Sequence, residues 1–550
     1  MATPVLFQTA YKRESKKERQ RERPLYAAGL ITGLTALALA VHGFHPYAED
    51  GGLYLAGVKR VLDPTLYASG PEFVLGHLRF SMFAPTVAWL VRATGMQLET
   101  VLLALYLVSI WATLWAAWLL ARRCFSSLRE RTGAVTLMAV WLTLPIAGTS
   151  LMLMDPYVTA RSFSTPLTLF ALVGALDFLD STREAYRWRR GNLALTGVAL
   201  TMAALAHPLM AAYGFACVLA LAVSIPERLR MRLGVAAGLG IAALVAATVL
   251  QAVAMPEQAA YRAVAMSRYY WFLSEWHWYE LAGVIAPLAI LGAVAWRERS
   301  ETARRKLAQM GLAAGSTAMF VAAMFAHEGS ATHMVARLQP MRVFQLIYVV
   351  MILFVGAALA RQFGMRKLRW AAAFGSLCAV MFMAERETFP ASAHIELTQT
   401  AGTRTNGWVQ AFEWIRENTP KDAKFALDAD YITRPGEDAQ CFRAIAERSA
   451  LPDYSKDGGE AAITPALTEE WKQGQEAQTG LSRKSDADRF AALAPKGVEW
   501  LVLEKNAVTT FACDYSNAVV KVCRLPNSDS ADGIRLSLKR QPPLQQRALP

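Results

Sequence analysis

Long apolar runs separated by short polar connections fill the first 390 or so positions of the chain, and after them the pattern changes. A helix needs roughly 17 to 25 mostly apolar residues to cross the hydrocarbon of a bilayer. Eleven stretches read as spans, several of them short: residues 25–44, 97–120, 133–152, 165–180, 193–207, 209–225, 233–254, 279–296, 307–326, 343–360 and 370–388. The fifth and sixth are divided only by His207 and Pro208 and read equally as one kinked span. Beyond residue 390 no run is long enough to cross. There "WVQAFEWIRENTP" sets Trp408, Val409, Phe412 and Ile415 at helical spacing, and "KFALD" then reads as a strand. "DRFAALAPKGVEWLVLE" repeats the order of helix, Gly turn and apolar strand, and "NAVVKVCRL" reads as a last strand. The pattern therefore predicts a mostly α fold, a polytopic transmembrane helical bundle followed by a small α/β domain.

Charge orients the bundle. With the N-terminus inside, the inner segments hold 27 Lys and Arg and the outer loops of the bundle only nine. That is the asymmetry expected of cytoplasmic loops. It also makes residues 81–94, "SMFAPTVAWLVRAT", a juxtamembrane helix, because a full span there would put the four-Arg segment 122–131 outside. An odd number of spans leaves the C-terminus outside. The expected layout is a basic cytoplasmic tail at 1–24, a membrane domain at 25–390 with a long first outside loop at 45–80, a soluble extracytoplasmic domain at 391–525 and a disordered tail at 526–550. The location expected is the inner (plasma) membrane.

Composition agrees and narrows the classes. Hydrophobic residues make up 54% of the 550, charged residues 18%, and mean hydropathy is +0.24. This is too apolar for an ordinary soluble enzyme. The net charge of +13 belongs to the inner loops and does not point to nucleic acid. The first apolar run has no small-residue cleavage site after it and reads as a retained anchor. The six Cys form no CxxC and no Cys/His cluster, so no zinc or redox motif is supported. Cys513 and Cys523 either pair across a hairpin in an oxidising compartment or stand as two free thiols.

The first outside loop opens "HPYAEDGGLYLAGVKRVLDPTLYASG". Glu49 and Asp50 stand at the membrane edge, and Gly51 and Gly52 let the backbone turn sharply or approach a ligand. Tyr47, Tyr54, Tyr67, Phe73, Phe80 and Phe83 suit an interface. A second acid, Asp155, follows a span in "LMLMDPYVTARSFSTP", with Arg161 six residues on. Acids at two membrane edges on one side can face one cavity.

These features together resemble the GT-C class of integral-membrane glycosyltransferases, whose layout is shared by protein mannosyltransferases, aminoarabinose transferases and oligosaccharyltransferases. "HPYAEDGGLYLAGVKRVLDPTLY", "DPYVTARSFSTP", "LQPMRVFQL" and "WVQAFEWIRENTPKDAKFALD" resemble more closely a family of bacterial membrane proteins related to that class. The resemblance implies transfer of a sugar from a polyprenyl-phosphate donor to an acceptor on the outer side. It implies an acid of the first loop as general base, which falls on Asp50 or Glu49, with Asp155 as a second acid. The chemistry asks for the same groups: a carboxylate to take the hydroxyl proton and cations to stabilise a phosphate leaving group. Arg337 and Arg342, at the mouth of a span, are best placed for a lipid phosphate, with Arg161, Arg262 and Arg268 behind them. Tyr54 is a further candidate for substrate binding. The aromatic loop 261–280 is a candidate cover for a prenyl chain or a stacking surface for a sugar.

Plainer readings stand beside these. The acidic pair can cap a helix, Asp155 before Pro156 can start a turn, the arginines can snorkel to headgroups and the aromatics can form an interfacial belt. His207, His327 and His333 lack a second ligand at helical spacing, so no metal is assigned. Some enzymes of the class place a divalent cation between two acids, which leaves Asp50 with Asp155 open. The chain lacks an HPPL-type stretch after the acidic pair and a WWDYG-type motif in the C-terminal domain. A non-catalytic transporter or scaffold carrying an exported binding module is the alternative. Of the features expected of a transporter, no internal repeat is found in the sequence and the midspan positions hold few ionisable residues.

Overall fold

The computed structural model describes residues 24–180, 186–364, 366–397, 406–434 and 436–526. The basic tail and the C-terminal tail expected from the sequence lie outside these residues, apart from Pro24 and Pro526. By contacts the chain forms two units. One takes in the residues up to Pro46, Phe80–Thr388 and His394–Glu396; the other takes in Tyr47–Arg79, Phe389–Ala393 and the residues from Leu397 onward.

Among the described residues of the first unit, eight helices are long and apolar enough to span: Leu25–His42, Leu98–Cys124, Ala160–Asp180, Leu229–Val253, Trp278–Arg297, Ala303–Phe325, Met334–Phe363 and Lys367–Thr388. A ninth is counted if a bent pair of shorter helices is taken as one span. Each of the eight coincides with an expected span; the other three expected spans take different forms. The run 133–152 is helical only to Val140, in the helix Leu128–Val140. Its remainder folds as a tight loop in which Met154 donates its N–H to Leu142 O and Ile146 to Leu151 O. Tyr186–Ala206 is a helix that opens on three arginines, and Pro208–Ser224 is a shorter apolar helix of two segments. His207 separates them, its ring accepting the Met210 N–H with Pro208 at the first helical position.

Burial sorts the helices by neighbour. The most apolar stretch of Met334–Phe363 is 83% buried, whereas those of Leu229–Val253 and Lys367–Thr388 are 6% and 11% buried. The first is the centre of the bundle, packed against Leu128–Val140, and the last two present side chains outward, as a lipid-facing helix does.

The second unit carries a five-stranded sheet of β1 (Lys424–Ala426), β2 (Ser449–Ala450), β3 (Trp500–Glu504), β4 (Cys513–Ser516) and β5 (Val520–Arg524), in the order β2-β1-β3-β5-β4. β1 pairs in parallel with β2 and β3, and β5 runs antiparallel to β3 and β4. The helix Gly407–Asn418 is capped by the Asn406 side chain, which accepts from the N–H groups of Trp408 and Val409 at 3.0 and 3.2 Å. It buries Trp408, Val409, Phe412 and Ile415. Leu481, Leu501, Leu503 and Cys523 lie in a core cluster of the unit. Cys513 and Cys523, facing residues of β4 and β5, are joined in a disulfide.

Candidate functional site

In the second unit the first-loop acids begin the helix Glu49–Leu62, where negative charge favours the N-terminal end and Lys59 and Arg60 complement the other. Glu49 takes a left-handed φ of 49°, a conformation that costs a side-chain-bearing residue of order 1–2 kcal/mol. Gly52 is required by packing: a Cβ there would lie 2.2 Å from Cys441 Cβ and 2.5 Å from Tyr47 O. The close approach expected of the Gly pair is thus made, at Gly52, to the protein's own chain.

Both acids meet Lys456, near the start of the helix Lys456–Ile463. Its Nζ pairs with Glu49 Oε2 and lies 3.4 Å from Asp50 Oδ1. Burial alone would lower the Lys456 pKa, but the charges of Glu49 and Asp50 outweigh it and hold the ammonium above its ordinary range. The Glu49 and Asp50 side chains remain 46% and 32% exposed. One helical turn on, Tyr54 is buried with its ring edge-on to His77 at 4.7 Å. His77 Nδ1 in turn lies 3.3 Å from Glu460 Oε1, four residues beyond Lys456. Lys456 escaped the sequence reading because 406 residues separate it from Asp50.

In the first unit Asp155 and Arg161 form a buried ion pair of 2.9 Å, so the spacing of six noted in the sequence is that of two partners. Arg262 donates to the backbone oxygens of Ser330 and Glu328. Arg342 stands 5.7 Å over the Tyr270 ring, Arg337 bonds the Tyr261 hydroxyl, and Arg268 is buried with its Nε on Ser267 Oγ at 3.1 Å. The aromatic loop is divided. Trp271, Phe272 and Trp276 are buried, and Trp276 lies so close to Gly148 that a Cβ there would meet the ring at 2.5 Å. Tyr269, Trp278 and Tyr279 are exposed.

A further charged group in this unit was not foreseen. His45, of the quoted "HPYAED", is fully buried between two carboxylates, with Nδ1 2.6 Å from Glu396 and Nε2 2.7 Å from Glu385. Glu385 also meets His394 Nδ1 at 2.9 Å. A ring that serves two carboxylates donates from both nitrogens, which is the imidazolium. Burial pulls the His45 pKa down, but the bonds and charges of Glu385 and Glu396 prevail and raise it. The His45 backbone N–H donates to Pro156 O at 2.8 Å, so the same residue fixes the loop that carries Asp155. His333, read from sequence as isolated, has Glu257 as its partner at 2.7 Å. Among the described residues no three His, Cys, Asp or Glu side chains gather as a metal site.

Glu49, Asp50 and Tyr54 thus belong to the second unit, and Asp155 and the five arginines to the first. No protein-family model matches the chain, and no curated protein does. Among solved structures, it is similar to the archaeal oligosaccharyltransferase AglB from Archaeoglobus fulgidus in complex with an inhibitory peptide and a dolichol-phosphate. The TM-score is 0.46 at 12% identity, covering 87% of this chain and 69% of that one. A second match is an Archaeoglobus fulgidus oligosaccharyltransferase in complex with Zn and sulfate, with a TM-score of 0.42 at 13% identity, covering 86% and 68%.

Proposed function

We propose that this protein is an integral-membrane glycosyltransferase of the GT-C kind, moving a sugar from a polyprenyl-phosphate donor to an acceptor on the extracytoplasmic side. The observation that carries the reading is the division of labour among the acids. The Asp155 side chain is buried in its ion pair with Arg161, whereas the Asp50 side chain is 32% exposed, with Oδ1 3.4 Å from Lys456 Nζ. On that exposure Asp50 is the carboxylate we assign as the base. Glu49, in direct ion pairing with Lys456, is better suited to holding the lysine than to taking a proton.

In the reaction the acceptor oxygen forms a bond to the anomeric carbon as its proton passes to Asp50. The bond from that carbon to the phosphate oxygen breaks, and the electron pair leaves with the lipid phosphate. In the first unit Arg342, Arg337 and Arg268 are the groups we assign to a lipid phosphate. A second reading, a non-catalytic membrane protein carrying an exported binding module, draws on the Lys456 contacts, which engage both acids.

The test is incubation of the purified protein in lipid with a panel of radiolabelled polyprenyl-phosphate sugars. Turnover by the wild type, with a raised KM for the lipid in Arg342→Ala, is expected. Absence of both turnover and donor binding across the panel moves the second reading ahead.

A further inference from the structure

We propose that His333, held by Glu257, binds a phosphoryl group through its Nε2. The inference rests on the reading above, in which the first unit takes a lipid phosphate, and adds a residue that reading does not use. Glu257 spends both carboxylate oxygens on this one residue, accepting from the His333 backbone N–H and from Nδ1. The bond to Nδ1 fixes the ring orientation, and a ring set between the Glu257 carboxylate and a phosphoryl oxygen at Nε2 donates from both nitrogens, as the imidazolium. The His333 side chain is fully buried, and Nε2 has no partner among the described residues. Buried polar atoms are almost always paired in native structures, so such an atom marks a place where something else is met.

The neighbourhood identifies the chemistry. The Phe272 ring stands edge-on to His333 at 5.5 Å, and Tyr270, two residues before it, lies under Arg342. One turn of chain, residues 269–272, therefore touches both the imidazole and the guanidinium. Arg337 begins a helical turn beyond His333, its N–H bonded to His333 O at 2.8 Å. The same two loops hold other buried polar atoms without a partner among the described residues: Trp271 Nε1, Trp276 Nε1 and Gln339 Oε1. Gln339 also has a left-handed φ of 50°, a strained conformation of the sort that persists at ligand clamps. Indole N–H, guanidinium and imidazole donors outnumber the one acceptor among these groups. Phosphoryl oxygens, which accept and carry negative charge, satisfy the donors and cations of such a set; an ammonium, which only donates, does not.

Two isosteres separate binding from scaffolding. Asn places its amide nitrogen near Nδ1 and keeps the bond to Glu257, whereas Gln places it near Nε2. The measurement is the affinity of the full-length protein in lipid nanodiscs for a polyprenyl monophosphate, with inorganic phosphate as competitor, and thermal unfolding as the check on folding. His333→Asn is expected to weaken binding about ten- to a hundredfold, the loss of a hydrogen bond to a charged group, with His333→Gln close to wild type. Competition by inorganic phosphate at comparable concentration would make the ligand any phosphate; indifference to it makes the ligand the lipid. Either result supports the site when His333→Asn is the variant that loses affinity. The inference is overturned if His333→Asn binds as wild type does while Arg342→Ala binds weakly, which leaves the donor reading standing. It is also overturned if Asn and Gln weaken binding equally, since the ring then serves only as packing. If the wild type binds no lipid phosphate, both readings fall together.

Discussion

At the scale of single residues, the molecule uses long-range charge pairs that local pattern does not announce. His45 lies 340 and 351 residues from its two carboxylates. Replacing it by Ala removes the group set between two buried carboxylates, and breaking a buried ion pair costs about 3–5 kcal/mol. The pH dependence follows from the direction of the shift. A pKa raised in the folded state means that His45 contributes stability in full below the pKa of the unfolded chain, near 6.5, and loses it as pH rises through the folded value. Thermal unfolding of the detergent-solubilised protein is expected to show the largest gap between wild type and His45→Ala at acid pH, narrowing as the solution becomes alkaline. A gap independent of pH contradicts the imidazolium clamp. The sequence did mark Glu49, Asp50 and Asp155 as unusual, because acids at a membrane edge stand out. It could not supply Lys456, Glu385 or Glu396, because partners brought together only by the fold leave no periodic trace.

At the scale of elements, hydropathy served well wherever the apolar run and the helix are the same object. All eight long apolar helices were legible for that reason, as were the helix Gly407–Asn418 and strands β3 and β5. The run 133–152 misled because Pro145 and Gly148 sit in its second half, where apolar chain continues as a loop rather than a helix. Packing of one element against another is the level at which glycine matters. The helix Glu49–Leu62 approaches Cys441 at Gly52 so closely that no side chain fits. Gly52→Ala is expected to destabilise the second unit by about 1–3 kcal/mol, the usual cost of overpacking. Adding Cys441→Gly should recover part of that loss, read as coupling in a double-mutant cycle of thermal unfolding. Simple additivity of the two changes would contradict the contact.

At the scale of the whole molecule, the helix ends agree with the asymmetry of basic residues. Helices ending at Cys124, Asp180, Arg297 and Phe363 run into Arg-rich connections, whereas those ending at His42, Val253 and Phe325 do not. The orientation proposed from the basic residues would put the second unit outside, and the Cys513–Cys523 disulfide is consistent with that proposal. Single cysteines in a background otherwise free of reactive thiols test this with a membrane-impermeant maleimide on intact cells. A cysteine at Val508, 88% exposed in the second unit, should label, and one at the exposed Ser300 should label only after permeabilisation. The reverse pattern would place the acids of the first loop on the wrong side for an exported reaction. The most direct test of the account is sugar transfer by the purified protein from the donor that the wild type accepts, compared across Asp50→Asn and Glu49→Gln. The account predicts that Asp50→Asn loses about 10²–10⁴ in kcat with donor affinity unchanged, the size of a general-base contribution, and that Glu49→Gln loses far less. Full transfer by a folded Asp50→Asn protein would contradict it.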